Sequence, residues 1–312
     1  GRTLIEAAAY LKEQGARSVT AAFTHPVLAG KADPLAVPQL HDDGGGVIRV
    51  AAKGGFSSWA FSRGAPLLAE RAKRLGVAAL VINDCVHLTA LWPEIEDLTA
   101  DGVAAMAMCP SYATVAPAGG SRPLLGTNPF AFGWPRPGGN PYVFDFATSV
   151  AARGEIELHR RAGDPLPEGW AIDAEGRATT DPDAALAGAM LPFGAHKGSA
   201  IATMIELLAG AMIGDLTSEA ALAALGTTDL GPRHGELVLA FSPERFAAGR
   251  PGEPFALAET LLEGIIGQGA RLPSQRRFAA RKDSIANGIR LTEAELALLD
   301  RLETGGLNAV AV

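Results

Sequence analysis

Three stretches of the chain combine glycine, small residues and a polar side chain in ways that suit contact with a ligand. In Gly126-Thr127-Asn128-Pro129-Phe130, glycine and proline define a tight turn that holds the Thr127 hydroxyl and the Asn128 amide in set directions. The plainer alternative is a structural turn closed by an Asx bond. In Phe144-Asp145-Phe146-Ala147-Thr148-Ser149, a strand gives way to small residues at a helix start, where backbone N–H groups favour phosphate or carboxylate. Plain N-capping by Thr148 or Ser149 is the alternative there. In Gly194-Ala195-His196-Lys197-Gly198-Ser199, Lys197 stands at or just before a helix N-terminus. A cation there opposes the helix dipole, so an anion held between Lys197 and free N–H groups would account for it. The alternative is a solvated loop lysine.

Many standard chemistries are excluded by what the chain lacks. It has no G-x-G-x-x-G after a strand, no G-x-x-x-x-G-K-[ST], no H-E-x-x-H and no G-x-S-x-G. The two cysteines, Cys85 and Cys109, sit in apolar stretches without metal spacing. They read as reduced core thiols of a cytosolic protein, and no metal site is expected. A formal charge of −7 argues against nucleic acid as a main partner, because phosphate neutralisation calls for surplus Lys and Arg. It does not argue against a small anionic substrate. No signal-like pattern opens the sequence. The apolar run from Ala200 to Ile213 is interrupted by Glu206 and is too short for a membrane span of ~20 residues.

The elements that must position these residues follow from periodicity and punctuation. With 312 residues, 48% apolar and 20% charged, the chain can form a packed core, and its elements and motifs are those of an α/β or α+β protein. Helices are predicted over Leu4–Gln14, Pro66–Leu75, Pro93–Ala100, Ser149–Arg161, Ser199–Ile213 and Pro254–Gly267. A terminal helix through Leu302 should open on a Thr292–Glu295 capping box. Strands are predicted over Val47–Ala51, Val77–Ile82, Val103–Met108, Pro141–Phe146 and Gly235–Phe241. Ala16–Asp43 reads as an irregular crossing and Leu166–Asp183 as loop-rich, with a turn at Asp173–Gly176. His41, His159 and His234 carry no motif and read as surface residues.

The three stretches, in this order, resemble the type-2 malate/L-lactate dehydrogenase family. Further matching text is Leu124-Leu125-Gly126-Thr127-Asn128-Pro129, Val143-Phe144-Asp145, Arg153-Gly154-Glu155-Ile156, Pro167-Glu168-Gly169-Trp170 and Thr179-Thr180-Asp181-Pro182. His87-Leu88-Thr89-Ala90-Leu91-Trp92-Pro93 is closest to the Δ1-piperideine-2-carboxylate/Δ1-pyrroline-2-carboxylate reductase branch. The likeness covers about Val47 to Arg277. It implies a mostly antiparallel seven-stranded sheet that binds NADPH or NADH in a non-Rossmann manner. It also implies a homodimer with active sites near the interface. Residues 77–249 would form the cofactor-binding domain, and residues 1–76 with 250–312 a helical, dimerising, substrate-side region. Carried over by position, His87, Leu88, Thr89, Ala90 and Leu91 touch the cofactor. So do Asp145, Phe146, Ala147, His196 and Lys197, with Arg276 from the partly matching run Leu272-Pro273-Ser274-Gln275-Arg276-Arg277. Thr127 matches the substrate-contacting threonine, and Glu155 the acidic residue that orients the catalytic histidine.

One departure bears on mechanism. The family's Ser-His-Gly motif, whose histidine donates the proton, is absent, and Thr24-His25-Pro26 is the nearest text. Either His25 replaces the usual acid on a shortened loop, or that acid has been deleted. Hydride transfer to C2 of a 2-oxo or 2-imino acid needs a proton donor, and a histidine suits neutral pH. A cyclic ketimine can carry its proton before the hydride arrives, so the departure favours an imine over a ketone substrate. Three readings follow. The first is a ketimine reductase forming pipecolate or proline, the second a malate- or lactate-type 2-hydroxyacid dehydrogenase, and the third a cofactor-binding homologue with lost catalysis.

Overall fold

The computed structural model describes residues 36–305 apart from residues 88, 229 and 230. The helix expected at Leu4–Gln14, together with His25, lies outside the described residues, as does Leu88.

Strands β1 (Gln39–His41), β2 (Val47–Ala51) and β3 (Val77–Val86) are linked by helix α1 (Ser57–Leu75). Helix α2 (Trp92–Ala100) follows, then β4 (Ala104–Met108), β5 (Phe130–Trp134), β6 (Tyr142–Phe146) and α3 (Arg153–Ala162). With β10 (Arg233–Phe241) these strands form a seven-stranded sheet in the order β1-β2-β3-β10-β4-β5-β6. Only β2 and β3 pair in parallel; the other neighbours are antiparallel. The mostly antiparallel seven-stranded sheet is therefore present, and through β1 and β2 it runs across the division expected at residue 76. A smaller sheet joins β8 (Ala178–Thr179), β7 (Ala171–Ile172) and β9 (Ala189–Met190) around helix α4 (Pro182–Ala187). Its β7–β8 turn is the expected one at Asp173–Gly176, where the Asp173 side chain accepts from the amides of Glu175 and Arg177 at 3.0 and 2.8 Å.

Alternation along the central strands builds two cores. Leu80, Ile82 and Val238 face one side, packed with Ala60, Phe61 and Leu68 of α1 and Ile95 and Leu98 of α2. Val81 and Leu237 face the other side, packed with Ile205 and Ala209. Those two residues belong to α5 (His196–Ile205) and to the π-helical turn Glu206–Ala211 that continues it. Helices α6 (Ser218–Leu225) and α7 (Pro243–Ala247) flank β10, and α8 (Pro254–Gly267), α9 (Gln275–Asn287) and α10 (Glu293–Gly305) follow. No described helix is long and apolar enough to cross a membrane.

Several boundaries differ from expectation for definable reasons. Helix α1 begins at Ser57 and carries Pro66 in its interior. The missing backbone bond costs about 3 kcal/mol, which burial of Ala60, Phe61, Leu68 and Ala72 offsets. Strand β3 runs past Ile82 through polar Asn83 and Asp84, because Asp215 accepts from the Asn83 side chain (3.0 Å) and the Asp84 amide (2.8 Å). His234, expected at the surface, is only 1% exposed, since it pairs with Cys85 in the sheet interior. Helix α9 was not foreseen: none of its residues is buried, so it leaves little apolar period to read. The capping box is present, with the Thr292 amide 2.6 Å from Glu295 Oε2 and the Glu295 amide 3.3 Å from Thr292 Oγ1.

Candidate active site

The three polar–glycine stretches meet. The Thr148 amide and hydroxyl both donate to the Thr127 carbonyl, at 2.8 and 3.0 Å. The Phe193 amide donates to the Thr148 carbonyl (3.0 Å), and the Gly198 amide to the Phe193 carbonyl (2.9 Å). Gly198 is required by this close approach: a Cβ there would lie 2.4 Å from the Phe193 oxygen and 2.8 Å from the Thr148 oxygen. Around this junction Thr127 is half-buried and His196 and Lys197 are exposed. Phe146 is 40% exposed, stacked on Phe144 at 5.1 Å and edge-on to Phe193 at 5.7 Å.

The local reasons differ from those read in the sequence. Helix α5 begins at His196, but the amides of Lys197, Gly198 and Ser199 already donate to the carbonyls of Gly194, Phe193 and Ala195. An anion beside Lys197 would therefore meet exposed side chains rather than three free amides. The turn after Asp145 is likewise closed, since the amides of Thr148 and Val150 donate to Thr127 and Leu191. Neither Thr148 nor Ser149 caps a helix: the Ser149 hydroxyl donates to the Ala151 carbonyl at 2.6 Å, and α3 starts only at Arg153.

Asn128 belongs to the scaffold. It is fully buried with φ +36°. Its amide donates to the Ala202 carbonyl (3.1 Å) and Glu206 Oε1 (2.7 Å), and its oxygen accepts from the Ser218 hydroxyl (3.1 Å). Glu206 Oε2 accepts from the Ser218 amide at 2.8 Å. This network fixes the turn that presents Thr127 against the π-helical end of α5.

Asp145 joins a second group of expected residues. Its Oδ2 accepts from the amides of Leu91 (2.8 Å) and Trp92 (3.0 Å), so it caps α2 and anchors the end of the His87–Leu91 segment. Burial raises its pKa above the ordinary carboxylate value, and the two amides act in the opposite direction. Thr89 and Ala90 are exposed, and Leu91 is buried. The C-terminal run arrives at the same place. The Ser274 hydroxyl donates to the Val143 carbonyl of β6 at 2.7 Å. The Arg277 guanidinium pairs with Glu96 and lies 4.0 Å over the Trp92 ring, while Arg276 beside it is exposed. Glu155 is exposed in the first turn of α3.

The His87 side chain turns into the core, not towards the junction. It is 8% exposed, and its Nε2 lies 3.9 Å from Glu236 Oε2. Glu94 and Glu236 are 2% and 0% exposed. Burial pushes Glu94 up to about 8 and raises Glu236, while burial and then His234 push His87 down to about 3. Sequence reading missed this cluster, since nothing in the text links Glu236 of β10 to the other two.

The pattern of the malate/L-lactate dehydrogenases matches residues 10–300, and the chain belongs to that family. Among its relatives, the Δ1-pyrroline-2-carboxylate reductase of Agrobacterium fabrum is 69% identical over 91% of this chain and 83% of its own length. The Δ1-pyrroline-2-carboxylate/Δ1-piperideine-2-carboxylate reductase of Pseudomonas aeruginosa is 57% identical, over 85% of this chain and 80% of its own. In structure the chain is similar to the Δ1-piperideine-2-carboxylate reductase of Pseudomonas syringae pathovar tomato. The TM-score is 0.82 at 40% identity, covering 88% of this chain and 83% of the other. The branch resemblance seen in the His87–Pro93 text is thereby met.

Proposed function

We propose that this chain reduces a cyclic ketimine carboxylate, Δ1-pyrroline-2-carboxylate or Δ1-piperideine-2-carboxylate, to proline or pipecolate, using NADPH or NADH. The observation that carries the substrate is the 69% identity to the Agrobacterium reductase of that name. Support for the coenzyme comes from the contacts that join the Thr127 turn, the end of β6 at Asp145–Thr148, the Leu91 and Trp92 amides and the loop before Lys197. The donor set there suits a dinucleotide: exposed His196 and Lys197 offer cationic and polar contacts, and the exposed Phe146 ring offers a flat apolar face. A reduced nicotinamide, when bound, supplies hydride to C2 of the substrate. The chain's own groups do the rest. Thr127 holds the substrate carboxylate, the His87–Leu91 and Asp145–Ala147 segments with Arg276 border the coenzyme, and His25 holds the proton, oriented by Glu155. A ketimine that arrives protonated needs this acid least. The exposed apolar side chains of α8, Leu257 at 72% and Leu261 at 65%, are consistent with the homodimer that the family resemblance implies.

Titrating purified protein into NADPH and into NADH, with nicotinamide fluorescence as readout, tests the coenzyme part. Saturable binding to at least one is expected, weakened in Lys197→Ala. Absence of binding to both removes the proposal.

A further inference from the structure

We propose that His87, Glu94 and Glu236 form a buried site for a divalent cation of the zinc class, joining the end of β3, the first turn of α2 and the start of β10. One ligand atom from each residue lies within 4.8 Å of the other two. All three side chains are more than nine-tenths buried. His87 Nε2, Glu94 Oε2 and both Glu236 oxygens have no hydrogen-bond partner. Buried polar atoms are normally paired, because an unpaired one costs about 1–3 kcal/mol. Unpaired polar atoms on three buried residues whose ligand atoms lie within 4.8 Å of one another therefore indicate a missing common partner.

The chemistry of that partner follows from the donors. One imidazole and two carboxylates suit zinc, or iron(II) and manganese(II) in the same geometry. Two carboxylates and a dication sum to zero charge, which makes burial of both acids tolerable. With metal–ligand bonds of about 2.1 Å, two ligands cannot lie more than about 4.2 Å apart. The 3.9 Å between His87 Nε2 and Glu236 Oε2 corresponds to an angle of about 136° at the metal. A shortening of about 0.5 Å, within side-chain adjustment, would bring the pair to tetrahedral separation. The cation would staple the connection from Val86 to Trp92, whose far end Asp145 already anchors. The inference does not rest on the reductase reading.

The test uses the tag-free full chain, purified without chelators from zinc-supplemented cells. Elemental analysis should find about one metal ion per chain. After unfolding with chelator, refolding with zinc should give a higher thermal midpoint than refolding without metal. Glu236→Gln and His87→Ala should each lower the metal content at least tenfold, while Glu244→Gln, at an exposed site on α7, should not. A metal-free native protein whose midpoint is unmoved by zinc, manganese or iron(II) overturns the proposal. So does stoichiometric metal that persists in both ligand variants. If a variant fails to fold, wild-type metal content and zinc-dependent refolding still decide.

Discussion

Replacing Asn128 by alanine separates scaffold from ligand contact within one turn. Asn128 makes three side-chain hydrogen bonds at 0% exposure, to Ala202, Glu206 and Ser218. Alanine would abolish all three and leave a carbonyl, a carboxyl oxygen and a hydroxyl partly unsatisfied, at about 1–3 kcal/mol for each group that water cannot reach. The backbone adds to this, since φ is +36° and alanine in the left-handed region costs about 1 kcal/mol. Because Glu206 keeps its bond from the Ser218 amide, the upper end of that sum is not reached, and a loss of about 4–5 kcal/mol is expected. Urea unfolding monitored by circular dichroism reads this as a lower midpoint at unchanged slope. Ser218→Ala, which removes one of these bonds and the one its hydroxyl accepts from the Ser111 amide at 3.2 Å, should cost about 1–2 kcal/mol. A loss below about 1 kcal/mol for Asn128→Ala would refute the reasoning, because the network would then not hold the turn.

The neighbouring residue should behave in the opposite way: Thr127→Ala should leave the unfolding midpoint nearly unchanged and raise KM about 10- to 100-fold, the worth of a hydrogen bond to a charged substrate, as steady-state kinetics would show. Asp145→Ala should lower stability by about 1–2 kcal/mol through loss of the α2 cap and weaken coenzyme binding, with Asp145→Asn intermediate in calorimetry and fluorescence titration. Asp42 is held below its ordinary pKa, first by the Arg71 side chain and then by the Gly44 amide. Its contribution is therefore present above about pH 4 and lost as pH falls through the depressed value, so thermal midpoints of Asp42→Asn should show a shallower acid-side decline than wild type.

Much of the architecture was legible because strands such as Val77–Ile82 and Val103–Met108 are apolar runs, mostly buried, and Pro254–Gly267 is bounded by its own punctuation. The meeting of the three polar–glycine stretches was legible only as types of residue. That Thr148 bonds Thr127 and Phe193 depends on strand order, which local periodicity does not carry. Some readings changed on contact with geometry. The amides near Lys197 are consumed by the turn that Gly194 and Ala195 form, both at φ +53°, a conformation that nothing in the text of Ala195 announces. Asp145 turned out to cap α2, a partnership with residues Leu91 and Trp92 that sequence distance hides. Likewise His87 could be assigned to a coenzyme segment from its neighbours, while the direction of its side chain is set by Glu236 and His234 across the sheet.

The most direct test of the account is a comparison of kcat/KM for Δ1-pyrroline-2-carboxylate, Δ1-piperideine-2-carboxylate and pyruvate, followed by loss of reduced-nicotinamide absorbance with the preferred coenzyme. The account predicts that at least one cyclic imine exceeds pyruvate by about 100-fold or more, with an L-amino acid as product. Equal or faster turnover of pyruvate, or no turnover of either imine by protein that binds the coenzyme, would contradict it.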